Sequence, residues 1–159
     1  GGRSQVRALP AAFLIGLVAA VQAACAATPA GIRLPADPLL VSVLSIAALC
    51  GAEAAVLAAA FAGMCKDALS TGPFGVSAAV FIPLALLMNR LRLARGPAHW
   101  AVGSAAAFAG TLAAAALYLL FTALRGEPAY GGPGPLLAAA LVNACIAPPL
   151  RLAWRLVLR

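Results

Sequence analysis

Any chemistry in this chain would have to come from very few side chains. It carries four acidic residues, Asp37, Glu53, Asp67 and Glu127, one histidine, His99, and four cysteines, Cys25, Cys50, Cys65 and Cys145. General acid–base or metal chemistry wants such groups to converge, on one helix face or at ligand spacing. Here the carboxylates lie at the ends of apolar runs or between them, and no two share a face within one helix. His99 follows Gly96-Pro97 at the edge of an apolar run and reads as an interfacial residue rather than a base. The cysteines show no C-x-x-C spacing and no histidine at metal-ligand distance, so they read as small packing residues rather than a zinc site or disulfide framework. There is no Gly-x-Ser-x-Gly elbow and no glycine-rich phosphate loop. The expectation is a protein without catalytic residues, cofactor or metal.

One block concentrates the polar and conformationally special residues. It reads Gly63-Met64-Cys65-Lys66-Asp67-Ala68-Leu69-Ser70-Thr71-Gly72-Pro73-Phe74-Gly75 and separates two long apolar runs. An ionised group beside hydrocarbon is costly, so its position carries information. Adjacent helical residues point about 100° apart, so Lys66 and Asp67 either neutralise each other locally or find separate partners. Asp67 is placed to act as a cap, accepting N–H bonds from Leu69 or Ser70. Gly72-Pro73 should end the helix, and Gly75 should let the next one begin close to its neighbours. Two readings follow: a helix-turn-helix corner, or a polar spot near the outer membrane face that a partner recognises.

The elements that position this block are membrane helices. Of the 159 residues, 64% are hydrophobic and 9% are charged. Soluble domains carry about 25% charged residues, so this chain could not clothe a water-facing surface. The mean hydropathy of +1.02 agrees. A transmembrane barrel would alternate apolar and polar residues, whereas these runs are continuous and rich in Ala and Leu. The fold class expected is an all-α membrane protein, a six-span transmembrane helical bundle forming a single membrane domain. Its spans cover about 9–27, 38–50, 54–70, 74–91, 98–124 and 135–157. The second and third segments are short for a span. They read either as two short, partly buried helices joined by a tight turn at Gly51, or as one long helix with Glu53 buried.

Charge separates the two. With six spans and a cytoplasmic N-terminus, Arg3, Arg7, Arg90, Arg92, Arg95, Arg151, Arg155 and Arg159 fall inside, against Arg33, Lys66 and Arg125 outside. With five spans, the 90–95 cluster and the C-terminal arginines would fall outside. Six spans place both termini in the cytoplasm and Lys66-Asp67 near the outer face. The net charge of +7 therefore reflects topology. No aromatic-interleaved basic patch points to nucleic acid. Arg3 and Arg7 ahead of the first run imitate a signal peptide, and Ala23-Ala24-Cys25 faintly resembles a lipoprotein cleavage site. The run is longer than a signal core, which favours an uncleaved first span.

Smaller expectations complete the reading. Arg151, Arg155 and Arg159 recur every fourth residue, forming one helical stripe that reaches headgroup phosphates or docks a cytoplasmic partner. Pro148-Pro149 should kink or break the helix just before it. Asn89 and Asn143 are placed to hydrogen-bond within the bundle or near its ends. Trp100 and Tyr118 mark the two interfaces of the fifth segment. Ala-rich runs such as 58–60 and 113–116 let helices approach closely, for packing within the chain or against another protein.

The pattern Phe61-Ala62-Gly63, Asp67-Ala68-Leu69-Ser70, Gly72-Pro73-Phe74-Gly75 resembles the hallmark of the rod shape-determining MreD family. Asp37-Pro38-Leu39-Leu40 is similar to the Pro-Asp-Leu-Leu start of that family's second segment, with the first two residues exchanged. Asn89-Arg90-Leu91-Arg92 matches its basic cluster after the fourth span, and Asn143 an asparagine of its last segment. The match covers about residues 35–95; the remainder agrees in hydropathy alone. Lys66 stands where the family pattern has an apolar or small residue.

The resemblance implies a non-enzymatic scaffold of the bacterial cell-elongation complex, in the cytoplasmic (inner) membrane. Its partners would be an MreC-like single-span protein and, indirectly, the MreB filament, RodA and its transpeptidase partner. Gly63, Lys66, Asp67, Gly72, Pro73 and Gly75 would form the partner motif. The family fold is similar to the substrate-binding subunits of energy-coupling-factor transporters, so the alternative is a vitamin-binding membrane subunit. That alternative needs a polar, aromatic-lined outer cavity. Trp100, Tyr118, Tyr130 and Trp154 are the residues offering both a ring and a polar atom.

Overall fold

A computed structural model describes residues 14–22, 36–69, 74–95, 100–126 and 133–158. All regular structure among them is helical: α1 over 14–22, α2 Pro38–Leu49, α3 Ala52–Ala68, α4 Val76–Arg95, α5 Trp100–Leu124 and α6 Pro133–Val157. The all-α class expected from the continuous apolar runs is what the chain adopts.

The centre of the fold is α2. Every residue from Leu39 to Ala48 is buried, and α3, α4, α5 and α6 all pack against it. A helix that is apolar all round belongs inside a protein or a membrane. Its start is written locally: the Asp37 carboxylate accepts the Leu40 N–H at 3.2 Å, and Pro38 occupies the first turn, where its missing N–H costs nothing. Its end is closed from a distance. The Asn89 side-chain amide on α4 donates to the carbonyls of Ala47 at 3.2 Å and Cys50 at 2.9 Å, two of the acceptors that a helix C-terminus leaves open.

Gly51 then adopts extended backbone, and α3 begins at Ala52 with Glu53 exposed in its first turn. Of the two expectations for residues 38–70, two short helices joined at Gly51 describe the structure. The buried face of α3 is made of small residues, Ala55, Ala59, Ala62 and Gly63, and ends in Asp67. Small side chains let two backbones approach. A Cβ at Gly63 would overlap the Ala78 backbone and lie 2.9 Å from the Ala78 Cβ, so α3 and α4 touch here almost main chain to main chain.

On α5 the inward residues are Ala107, Gly110, Thr111 and Ala114. On α6 they are Ala140, Asn143, Ala147, Arg151 and Trp154, steps of three and four that keep one face inward. The helix runs through Pro148-Pro149 without ending, so of the expected kink or break, the break does not occur. Ala147 and Arg151 are buried on either side of the prolines, so packing holds the backbone helical where two ladder hydrogen bonds are lost.

Large apolar side chains face outward instead. Leu57, Leu87, Leu93, Leu120, Leu124, Leu141, Leu152 and Leu156 are all exposed, a distribution suited to hydrocarbon rather than water. Three helices are long and apolar enough to cross a membrane, over Val76–Leu93, Gly103–Leu124 and Gly134–Val157. The twelve residues of α2 rise only about 18 Å, well short of a 30 Å hydrocarbon layer.

Candidate functional site: a polar cluster at the α3–α4 corner

The last turn of α3 carries Lys66 and Asp67, and each has a separate partner. Asp67 is 5% exposed. Its carboxylate accepts the Gly75 N–H at 2.7 Å and the Ser77 N–H at 3.1 Å. Those amides open α4, so Asp67 serves as the N-terminal cap of the following helix and sits at the positive end of its dipole. Of the two donors expected for it, Leu69 is engaged elsewhere. The Leu69 N–H is already committed to carbonyls of its own helix, Cys65 and Lys66, at 3.2 Å, and Ser70 lies outside the described residues.

Gly75 makes the cap reachable in a way different from the one expected. A Cβ there would meet nothing within 4 Å, so closeness is not its task. Its φ of +97 lies in the left-handed region that side chains disfavour, and this aims its N–H back at Asp67. The close approach belongs to Gly63. Gly72 and Pro73 fall outside the described residues.

Lys66 reaches the other way. Its ammonium pairs with the Asp37 carboxylate at the start of α2, and lies 5.2 Å from the ring centre of Phe81 and 5.3 Å from that of Tyr118. A cation over two ring faces is stabilised by both. Asp37 is thereby shared: one carboxylate oxygen caps Leu40 and the other meets Lys66. Its own backbone N–H donates to Asn143 Oδ1 on α6 at 2.8 Å. The Asn143 amide donates to Thr111 Oγ1 on α5 at 2.9 Å, and the Thr111 hydroxyl to the Ala107 carbonyl at 2.8 Å. The Tyr118 hydroxyl donates to Ser77 Oγ at 2.6 Å, returning the network to the first turn of α4.

Five helices therefore meet through Asp37, Lys66, Asp67, Ser77, Thr111, Tyr118 and Asn143. Buried polar groups connected in this way fix a unique arrangement where apolar packing alone leaves helices free to slide. The network joins these groups in structural bonds. Among the described residues no three His, Cys, Asp or Glu side chains gather to hold a metal.

Reading the sequence found Lys66, Asp67, Gly63, Gly75 and Asn143 but missed Ser77, Thr111 and Tyr118. It read Tyr118 as an interfacial ring; its hydroxyl is bound to Ser77. It also missed that Asp37 pairs with Lys66. The available signal was the expected topology, which puts both residues on the outer side. Of the aromatic residues that a vitamin cavity would draw on, Tyr118 is engaged in the network, and Trp154 is 2% exposed and eleven residues beyond Asn143 along α6. Trp100's side chain and Tyr130 lie outside the described residues.

The basic residues divide. Arg90 and Arg155 are exposed and Arg92 is half-buried. Arg151 is 8% exposed and turns inward, so it leaves the stripe expected with Arg155. Arg95's side chain and Arg159 lie outside the described residues.

The Lys66–Asp37 pair can be weighed by a double-mutant cycle of Lys66→Met and Asp37→Asn. Asparagine keeps an oxygen for the Leu40 N–H and removes only the charge. Because both side chains are partly exposed, the expected coupling is about 1–2 kcal/mol, read from unfolding in detergent. A coupling near zero would mean that the ring contacts alone hold Lys66.

Compared with protein-family models, curated proteins and solved structures, the chain matches none.

Proposed function

We propose that this protein is a non-enzymatic scaffold of the bacterial cell-elongation complex, of the MreD kind, in the cytoplasmic membrane. The observation that carries the reading is the Gly63–Gly75 block, set at a helix corner in a chain whose arginines follow a six-span, positive-inside pattern. In this reading both termini are cytoplasmic and the α3–α4 corner lies at the outer face. The geometry of the corner supports it. Gly63, Lys66, Asp67 and Gly75 each serve the shape of one rigid corner, which suits a protein that presents a fixed surface. Beside it, Leu57, Phe61 and Met64 are exposed on α3 at helical spacing.

Because Asp67 is turned inward, a partner would meet the shape that it fixes rather than its charge. The test is co-purification from membranes with an MreC-like single-span, coiled-coil protein, and through it with RodA, its transpeptidase partner and the MreB filament. The intact chain is expected to retain the MreC-like protein. Asp67→Ala should lose it while still inserting, and Asp67→Asn, which keeps an acceptor oxygen, should retain most of it. No association of the intact chain would sink the proposal.

A further inference from the structure

A cleft opens between α2, α4, α5 and α6, running along α2 from Val41 to Ala48. Its walls are mainly apolar, including Val41, Leu44, Met88 and Ala106, with Ser45 among them, and its one charged lining group is the Arg151 side chain. Arg151 is more than nine-tenths buried, and its Nε finds no hydrogen-bond partner. The Trp154 Nε1, one helical turn further on, is likewise buried without a partner. Gly103 opens the space around the guanidinium: a Cβ there would stand 3.1 Å from Arg151 Nη1.

A buried cation calls for an anion, and none of the described residues pairs with it. The chain holds four carboxylates. Asp37 is paired with Lys66 and Asp67 caps α4. Glu53 is exposed in the first turn of α3 and makes no ion pair with Arg151. Glu127 lies outside the described residues. Arg155, the nearest charged residue along α6, is also a cation.

We infer that this cleft binds the phosphate of an anionic phospholipid, with the Arg151 guanidinium as its charge partner and the apolar walls beside the lipid's glycerol and upper acyl carbons. Guanidinium and phosphate match in charge and in donor geometry. The inner volume of about 10 Å³ admits a phosphate oxygen or a water but not a whole headgroup, so the lipid lies alongside the helices with only its anionic group turned in. An acidic side chain of a partner helix is the competing occupant. The lipid is favoured because the cleft belongs to a chain clothed outwardly in leucine, whose immediate neighbour is the bilayer.

The test uses the full chain purified in detergent, exchanged into phosphatidylcholine vesicles with or without phosphatidylglycerol, and read by native mass spectrometry and quantitative lipid extraction. The intact chain is expected to retain about one phosphatidylglycerol in preference to phosphatidylcholine. Arg151→Gln should weaken that retention about tenfold or more, and Arg155→Gln, which removes an exposed cation, should leave it within about twofold. Gly103→Ala keeps the charge and crowds the guanidinium, so a loss there reports the site even if Arg151→Gln folds poorly. Release of the lipid by millimolar inorganic phosphate would show a site for the free anion and overturn the lipid assignment. Equal retention by intact chain and Arg151→Gln would overturn the site altogether, as would phosphatidylglycerol retained only when a co-purifying protein is absent, which would assign Arg151 to that protein's carboxylate. None of these outcomes bears on assembly with an MreC-like protein.

Discussion

Replacing Asp67 with alanine should lower the unfolding free energy by about 3 kcal/mol, measured as a shift in the denaturation midpoint in detergent. The alanine leaves the Gly75 and Ser77 amides without the carboxylate that accepts them, in a site where Asp67 is 5% exposed and water does not readily substitute. Hydrogen bonds to a charged group contribute about 1.5–3 kcal/mol each, more than neutral ones. The favourable placement of a negative charge at the start of α4 is lost as well. Asp67→Asn separates the two contributions. The carboxylate oxygen Oδ2 reaches both amides, so an asparagine oxygen in that place keeps a bond to each, while the charge and the second contact of Oδ1 with the Ser77 N–H are lost. Its expected cost is about 1 kcal/mol. Amide hydrogen exchange should show faster opening at Gly75 and Ser77 in the alanine variant, with α5 unchanged. A midpoint shift spread evenly over the whole protein, with no local loss of protection, would contradict the capping role.

The second large effect is expected at Gly63. Valine there would drive its branched side chain into the Ala78 backbone, and a main-chain obstacle cannot rotate aside as a side chain can. Separating α3 from α4 would also pull Asp67 from the amides it caps, since both contacts lie on the same helix pair. The expected loss is about 3 kcal/mol or more, at the upper end for overpacked cores. Ala78→Gly should recover little of it, because the Ala78 Cα and N are the obstacles and both remain. At Gly51, where a Cβ meets nothing within 4 Å, alanine should be nearly silent, which controls for a general intolerance of substitution.

The helices were legible because the signals for them are local. Asp37-Pro38 announced the start of α2, Gly51 the break before α3, and continuous Ala/Leu runs the long helices α5 and α6. Pro148-Pro149 misled because the strength of a proline as a breaker depends on what packs around it, and that comes from other helices. The polar corner was half legible. Lys66 and Asp67 stood out as charges in an apolar chain, but their partners lie 29 and 8 to 10 residues away. The bond from Asp37 to Asn143 spans 106 residues, beyond any pattern of spacing. Arg151 and Arg155 carry the same residue type one helical turn apart, and only packing against α2 and α5 decides that one turns inward.

The shared fittings of α2 have a consequence for the order in which the chain is made. Its two ends are finished by residues that the ribosome adds later: Asn89 completes the C-terminal end, and Asn143 takes up the Asp37 amide at the other. A nascent chain that has reached only α3 holds a twelve-residue apolar helix too short to cross the bilayer alone, capped locally by Asp37 at its start and open at its C-terminal end. Until α6 emerges, the Asp37 amide lacks its Asn143 acceptor, so a segment made about a hundred residues later completes the first-formed interior.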